Sequence, residues 1–200
     1  MELLGAFFLV LAIGLTGNPI AIGSMLAVLV YLGGHISGAH YNPAVTIAVW
    51  IRGKIKKQLV LGYIISQLIG AFLAASILLF LTNTFIPQPS LDFSILQVIL
   101  VEILFTFTLA YTVLTVATSK KLEGNHIYGI AIGLALMVGA FAAGPISGGV
   151  LNPAVALSTL ILQLFLGATH FTNMIIYIIA PLIGGILAGL LFKYFNKEYL

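Results

Sequence analysis

Charge is absent from three long runs of this chain: residues 3–51, 58–91 and 124–192 contain no Asp, Glu, Lys or Arg. A bilayer core of about 30 Å takes about 20 apolar residues per helix, so these runs hold several spans. Gly, Pro and Asn punctuate them. The first span is expected over Glu2–Leu15, and Thr16-Gly17-Asn18-Pro19 turns into a second over Ile20–Gly33. The third covers Gln58–Leu81, and Thr82–Phe93, with Pro87 and Pro89, is a loop. Ser94–Thr118 and His126–Ala143 make the fourth and fifth spans. A polar loop with His170 and Asn173 precedes a sixth over Met174–Tyr194.

Two stretches between spans break the pattern. Gly34-His35-Ile36-Ser37-Gly38-Ala39-His40-Tyr41-Asn42-Pro43-Ala44-Val45 returns as Gly144-Pro145-Ile146-Ser147-Gly148-Gly149-Val150-Leu151-Asn152-Pro153-Ala154-Val155. From Ile36 and Ile146 onward, seven of ten positions are identical. Asn is a strong N-cap and Pro suits the first helical position, so each Asn-Pro-Ala opens a helix. The Gly-rich residues before it are expected to be extended. From Asn42 the apolar stretch ends at Ile51, about 15 Å of helix and half a bilayer core. The second such helix reaches about Leu164. Two half-helices meeting head to head would complete one span, with their positive dipole ends at the midplane.

The composition, 61% hydrophobic and 6% charged, excludes a soluble domain, whose surface carries far more charge. The basic residues are Arg52, Lys54, Lys56 and Lys57, then Lys120 and Lys121, then Lys193 and Lys197. Six spans put all three groups on one side, while the other carries only Asp92. The positive-inside rule makes the basic side the cytoplasm and places both termini there. The net charge of +3 thus follows from topology and calls for no nucleic-acid partner. The acidic Glu2 and the missing basic n-region argue against a signal peptide. Without cysteine there are no disulfides, thiol catalysis or Cys metal sites. No His metal cluster, cofactor motif or nucleophile–base pair is expected either.

The repeat extends to the first and fourth spans: Glu2, Leu4, Phe7 and Leu9 parallel Glu102, Leu104, Phe107 and Leu109. Three spans per repeat is odd, so the halves, about 1–85 and 92–200, enter the membrane in opposite senses. Inverted repeats with broken helices at the midplane mark a transport path. Exposed backbone at that depth is tolerated where it lines water or is buried in protein. The carbonyls of Gly38, Ala39, His40 and Tyr41, and of Gly148, Gly149, Val150 and Leu151, form a candidate ladder of acceptors. Asn42 and Asn152 add side-chain amides, while two positive helix ends repel cations. These features fit a channel for uncharged solutes better than a secondary transporter, since beyond Glu2 and Glu102 no acid lies within a span. A structural protein or an enzyme fits less well.

The boxes Asn42-Pro43-Ala44 and Asn152-Pro153-Ala154, the matched Glu2 and Glu102, Ser66-Gln67-Leu68-Ile69-Gly70-Ala71 and Pro181-Leu182-Ile183-Gly184-Gly185 resemble the aquaporin, or major intrinsic protein, family over nearly the whole chain. The resemblance implies an all-α membrane fold of six transmembrane helices and two re-entrant half-helices. It implies a homotetramer in the lipid bilayer of the cell membrane, with one pore per subunit. It implies passage of water and small neutral solutes without any cofactor. It assigns Glu2 and Glu102 to bracing the loops through backbone N–H groups. His40 is expected to pack rather than touch solute, His35 to lie near the cytoplasmic mouth, and His126 and His170 to be at the surface.

The family's narrowest point maps onto Ile22, Ala140, Gly149 and Val155. Most members carry Arg at the last position, and strict water channels usually carry Phe and His at the first two. This set has no aromatic ring, imidazole or guanidinium, and implies an opening wide enough for glycerol, urea, ammonia or neutral metalloid acids. Phe141 is the side chain able to refill it. Ser66-x3-Gly70, Gly129-x3-Gly133 and Gly185-x3-Gly189 are expected to let helices approach closely.

Overall fold

The computed structural model describes residues 1–82, 89–165 and 172–196; Pro87, His170 and Lys197 lie outside them. Among the described residues the helices are α1 (Glu2–Thr16), α2 (Pro19–Ser37), α3 (Pro43–Ile51), α4 (Lys57–Thr82), α5 (Ile95–Thr118), α6 (Tyr128–Ser147), α7 (Pro153–Phe165) and α8 (Thr172–Phe195). Helices α2, α4, α5, α6 and α8 are long and apolar enough to cross a membrane, and α1 is apolar but shorter. A short 3-10 turn over Lys120–Leu122, which the hydrophobic pattern did not announce, follows α5.

Local chemistry sets the ends. Gly17 stops α1 in the left-handed region at φ 55°, and Asn18 caps α2 by accepting from the Ile20 N–H at 2.9 Å. Ser94 and Gln97 form a reciprocal capping box at the start of α5. Most ends fall within one or two residues of the expected spans. The exceptions are α2 and α6, which continue through Gly34–Ser37 and Gly144–Ser147, where extended backbone was expected. Helical glycine costs only about 1 kcal/mol, less than backbone groups left unbonded at membrane depth. Both helices stop at Gly38 and Gly148, left-handed at φ 84° and 87°. The non-helical links therefore shrink to 38–42 and 148–152.

The packing repeats as the sequence does. The most extensive pairings are α5 with α8, α1 with α4, and α2 with α6. Helix α3 lies against α8, and α7 lies against α4, so each half-helix packs on the last helix of the other half. Glycine makes the closest crossings possible. A Cβ on Gly23 would stand 2.5 Å from the Gly133 carbonyl oxygen, and one on Gly133 would collide with the Gly23 carbonyl. Gly70 meets the α1 backbone at Leu3, and Gly185 meets α3 at Ala44.

Arg52 belongs to the first group of basic residues, after α3, but differs from the exposed lysines beside it. It is buried at 4% exposure, with its guanidinium 5.3 Å from the centre of the Phe192 ring. A guanidinium is weakly hydrated and stacks on aromatic faces, which is why it can pack where lysine stays in water.

Candidate functional site

Each non-helical link is built on an unusual backbone. Ala39 and Tyr41 take φ 52° and 51°, and Gly149 and Leu151 take 63° and 49°. Left-handed backbone at non-glycine residues costs about 1–3 kcal/mol and needs outside support. Two buried carboxyl groups give it. Glu2 Oε1 accepts from the Ser37 hydroxyl at 2.6 Å and the His40 N–H at 3.0 Å. Its Oε2 accepts from the Tyr41 N–H and the Gln67 amide, both at 2.7 Å. Glu102 Oε1 accepts from Ser147 at 2.6 Å and the Val150 N–H at 3.0 Å, and its Oε2 accepts from the Leu151 N–H at 2.8 Å. An acidic side chain at membrane depth is expensive unless it is paired or hydrogen-bonded, and both are.

With the links held, Asn42 and Asn152 face each other. Each side-chain oxygen caps its own half-helix, accepting from the Ala44 N–H at 2.8 Å and the Ala154 N–H at 2.9 Å. Each side-chain amide donates across the centre: Asn42 to the Leu151 carbonyl at 2.8 Å, and Asn152 to the Tyr41 carbonyl at 3.0 Å. An amide nitrogen has two hydrogens, so each Asn keeps one beyond this bond.

Both Asn residues line a cavity of about 20 Å³, together with Leu9, Leu26, His40 and Val150. That is room for about one water. Among the described residues its lining includes no Asp, Glu, Lys or Arg. Beyond it lies a vestibule of about 1000 Å³ bordered by His35, Tyr63, Lys54, Lys56, Lys120 and Glu123.

The expected acceptors divide by place. Ala39, His40 and Val150 line the small cavity, and Gly38 borders the vestibule. Tyr41 and Leu151 are fully buried, and their carbonyls receive the Asn amides, so these two serve the crossing first. Gly148 and Gly149 border neither cavity. His40 both packs, with Nδ1 3.2 Å from the Thr46 hydroxyl, and lines the cavity. His126 is exposed.

Ile22, Ala140, Gly149 and Val155 are not gathered around either cavity. Ala140 and Gly149 do meet: the Ala140 Cα is 3.3 Å from where a Gly149 Cβ would sit. Ile22 is buried in the larger apolar cluster, and Val155 in another with Val10, Ala74 and Tyr177. Phe141 is 53% exposed.

Several partners escaped the sequence reading. Ser37 and Ser147 hold the carboxyl groups, and the repeat itself contained them. Tyr63 Oη donates to the Ser37 carbonyl at 2.7 Å, and Tyr177 donates to the Ser147 carbonyl. Their signal was the equal spacing of Tyr63 to Gly70 and Tyr177 to Gly184.

The family model described as major intrinsic protein matches residues 4–192. The chain is 37% identical over 183 residues to a probable aquaporin TIP2-2 of Oryza sativa subsp. japonica, covering 90% of this chain and 72% of that one. It is 33% identical over 209 residues to aquaporin NIP1-2 of Arabidopsis thaliana, covering 92% and 69%. Its fold matches the aquaglyceroporin from Plasmodium falciparum with a TM-score of 0.84, at 23% identity, over 99% of this chain and 96% of that one.

Proposed function

The chain belongs to the major intrinsic protein family, and from that premise we propose a conduction path between Asn42 and Asn152. It is an all-helical membrane protein and a passive channel for water and small neutral solutes. Its family is one of channels, and no catalytic step is assigned to it.

The amide hydrogens of the two Asn residues and the backbone acceptors of the links replace the hydration of a passing solute. The positive ends of α3 and α7 turn cations back at the same point. Ile22, Ala140, Gly149 and Val155 form an outward filter that accepts glycerol, urea, ammonia or neutral metalloid acids besides water. Their small and aliphatic side chains support this reading. The chain is one channel domain of inverted repeats, about 1–85 and 92–200. It works as a homotetramer in the lipid bilayer of the cell membrane, with both termini cytoplasmic. Exposed apolar side chains such as Leu61, Phe80 and Leu96 suit contact with lipid or neighbouring copies.

The observation that carries the proposal is the reciprocal crossing of Asn42 and Asn152 beside a cavity without charged lining. Glycerol entry into proteoliposomes, followed over a wide range of gradients, tests it. A channel gives rates linear in the gradient; saturation would identify a carrier.

A further inference from the structure

Three of the basic residues border one space. Lys54 and Lys56, from the link between α3 and α4, and Lys120, from the turn after α5, line the vestibule of about 1000 Å³. Among its described lining residues the one acid is Glu123, so two positive charges are in excess. The three lysines are exposed, and among the described residues none of them pairs with an acid. Topology asks only that basic residues lie on this side of the membrane. It does not ask that they converge on one space, and Lys57 and Lys193 border neither cavity.

The hydrogen bonds around the vestibule leave donors over rather than acceptors. Helices α2 and α5 end there, and carbonyls at their ends already have partners. The Ser37 carbonyl accepts from the Tyr63 hydroxyl at 2.7 Å, and the Gly34 carbonyl from the Gly38 N–H at 3.0 Å. The Val116 and Leu122 carbonyls accept from the Asn125 amide at 2.8 and 2.6 Å. Helices α4 and α6 begin at the same rim, so the helix dipoles oppose one another and the lysines decide the sign. Each ammonium keeps three N–H donors at the end of a flexible four-carbon stem, so groups from the two links can turn toward one guest.

We propose that the vestibule binds a phosphate group carrying two or more negative charges, held between Lys54 and Lys56 on one link and Lys120 on the other. Lysine binds phosphate as a point charge, which needs no fixed planar geometry. Uncharged solutes pass the lysines, while a polyvalent anion is retained. His40 lines both this vestibule and the cavity at the Asn crossing, so a seated anion stands in the conduction path and slows it. The binding site goes beyond the channel reading, and only its effect on flux rests on that reading. A soluble anion and a lipid headgroup share this chemistry, and the test separates them.

Pyrophosphate is the soluble probe and phosphatidic acid the lipid probe. Phosphorus NMR line broadening follows pyrophosphate binding to the full chain in uncharged detergent, at an ionic strength fixed with chloride because salt screens exposed charges. Lys54→Gln with Lys120→Gln weakens binding about tenfold, while Lys57→Gln with Lys193→Gln, which removes the same charge elsewhere, changes it less than about twofold. Glu123→Gln tightens binding about twofold. In neutral-lipid proteoliposomes, pyrophosphate on both sides lowers wild-type water flux, and the Lys54→Gln, Lys120→Gln protein loses that sensitivity. A second set of vesicles carries phosphatidic acid and no pyrophosphate. Flux slowed through Lys54 and Lys120 in one set alone supports the site and identifies its source as soluble anion or lipid headgroup. No response to either probe, or equal weakening by the two double variants, overturns the site. Binding without any change in flux overturns its place in the conduction path. If wild type passes no water faster than empty liposomes, the channel reading fails while the binding result stands on its own.

Discussion

The Asn152 side-chain amide donates to the Tyr41 carbonyl at 3.0 Å, tying residues 111 positions apart across the centre of the fold. The same bond keeps a left-handed tyrosine in place and orients an amide toward the cavity. Asn152→Asp replaces the donor with an acceptor that faces a carbonyl oxygen. Loss of such a buried bond costs about 1–3 kcal/mol. Neutral-solute flux should fall and cation leak should rise in proteoliposomes. Unchanged values for both would remove Asn152 from the path.

Glu102 holds the second link by three hydrogen bonds, and Glu102→Gln turns one acceptor into a donor that faces other donors. The expected loss of stability is about 1–3 kcal/mol, seen as a lower melting temperature in detergent. Tyr63→Phe removes a single bond to the Ser37 carbonyl and should cost less, about 1 kcal/mol. Equal melting for all three proteins would show that the carboxyl group does not brace the link.

At the α2–α6 crossing Gly23 and Gly133 leave no space for a side chain, whereas Gly62 on α4 has nothing within 4 Å. Gly133→Val should cost about 1–3 kcal/mol or more through overpacking. Gly62→Ala should be neutral or stabilising by up to about 1 kcal/mol. Thermal unfolding of the two variants side by side would reveal any reversal of that order.

How far the chain could be read without coordinates depends on which force decides. Charge gaps and the two Asn-Pro-Ala starts carried the helices, because apolar length and N-capping act locally. The true ends of α2 and α6 did not show, because Gly34 and Pro145 are poor helix residues, and the helical hydrogen bonds that carry each helix past them, such as Gly38 N–H to the Gly34 carbonyl and Gly148 N–H to the Gly144 carbonyl, leave no local mark in the sequence. Glu2 and Glu102 stood out as acids in apolar spans. Their donors Gln67 and Ser147 did not, since polar residues near spans have many uses. The four filter positions came from family spacing alone, and Ala140 and Gly149 are in contact.

Mercurial block of channels acts on thiols, and this chain has no cysteine. Water flux through the purified protein should be insensitive to mercuric chloride. Inhibition relieved by a reducing thiol would contradict this.

Val155 sits at 1% exposure among apolar side chains, where a guanidinium needs new acceptors. If this position belongs to the filter, Val155→Arg should lower glycerol flux much more than water flux. Melting temperature on the same samples separates selectivity from damage. An equal fall in both fluxes, with a lower melting temperature, would place Val155 in the core alone.

The central claim is passive conduction of neutral solutes past Asn42 and Asn152. The most direct test measures water, glycerol and potassium permeability in one batch of proteoliposomes, against empty liposomes and the Asn152→Asp variant. The account predicts fast water and glycerol fluxes, linear in gradient, with potassium at the empty-liposome background in the wild type alone. Saturating fluxes, background water permeability, or potassium passage through the wild type would contradict it.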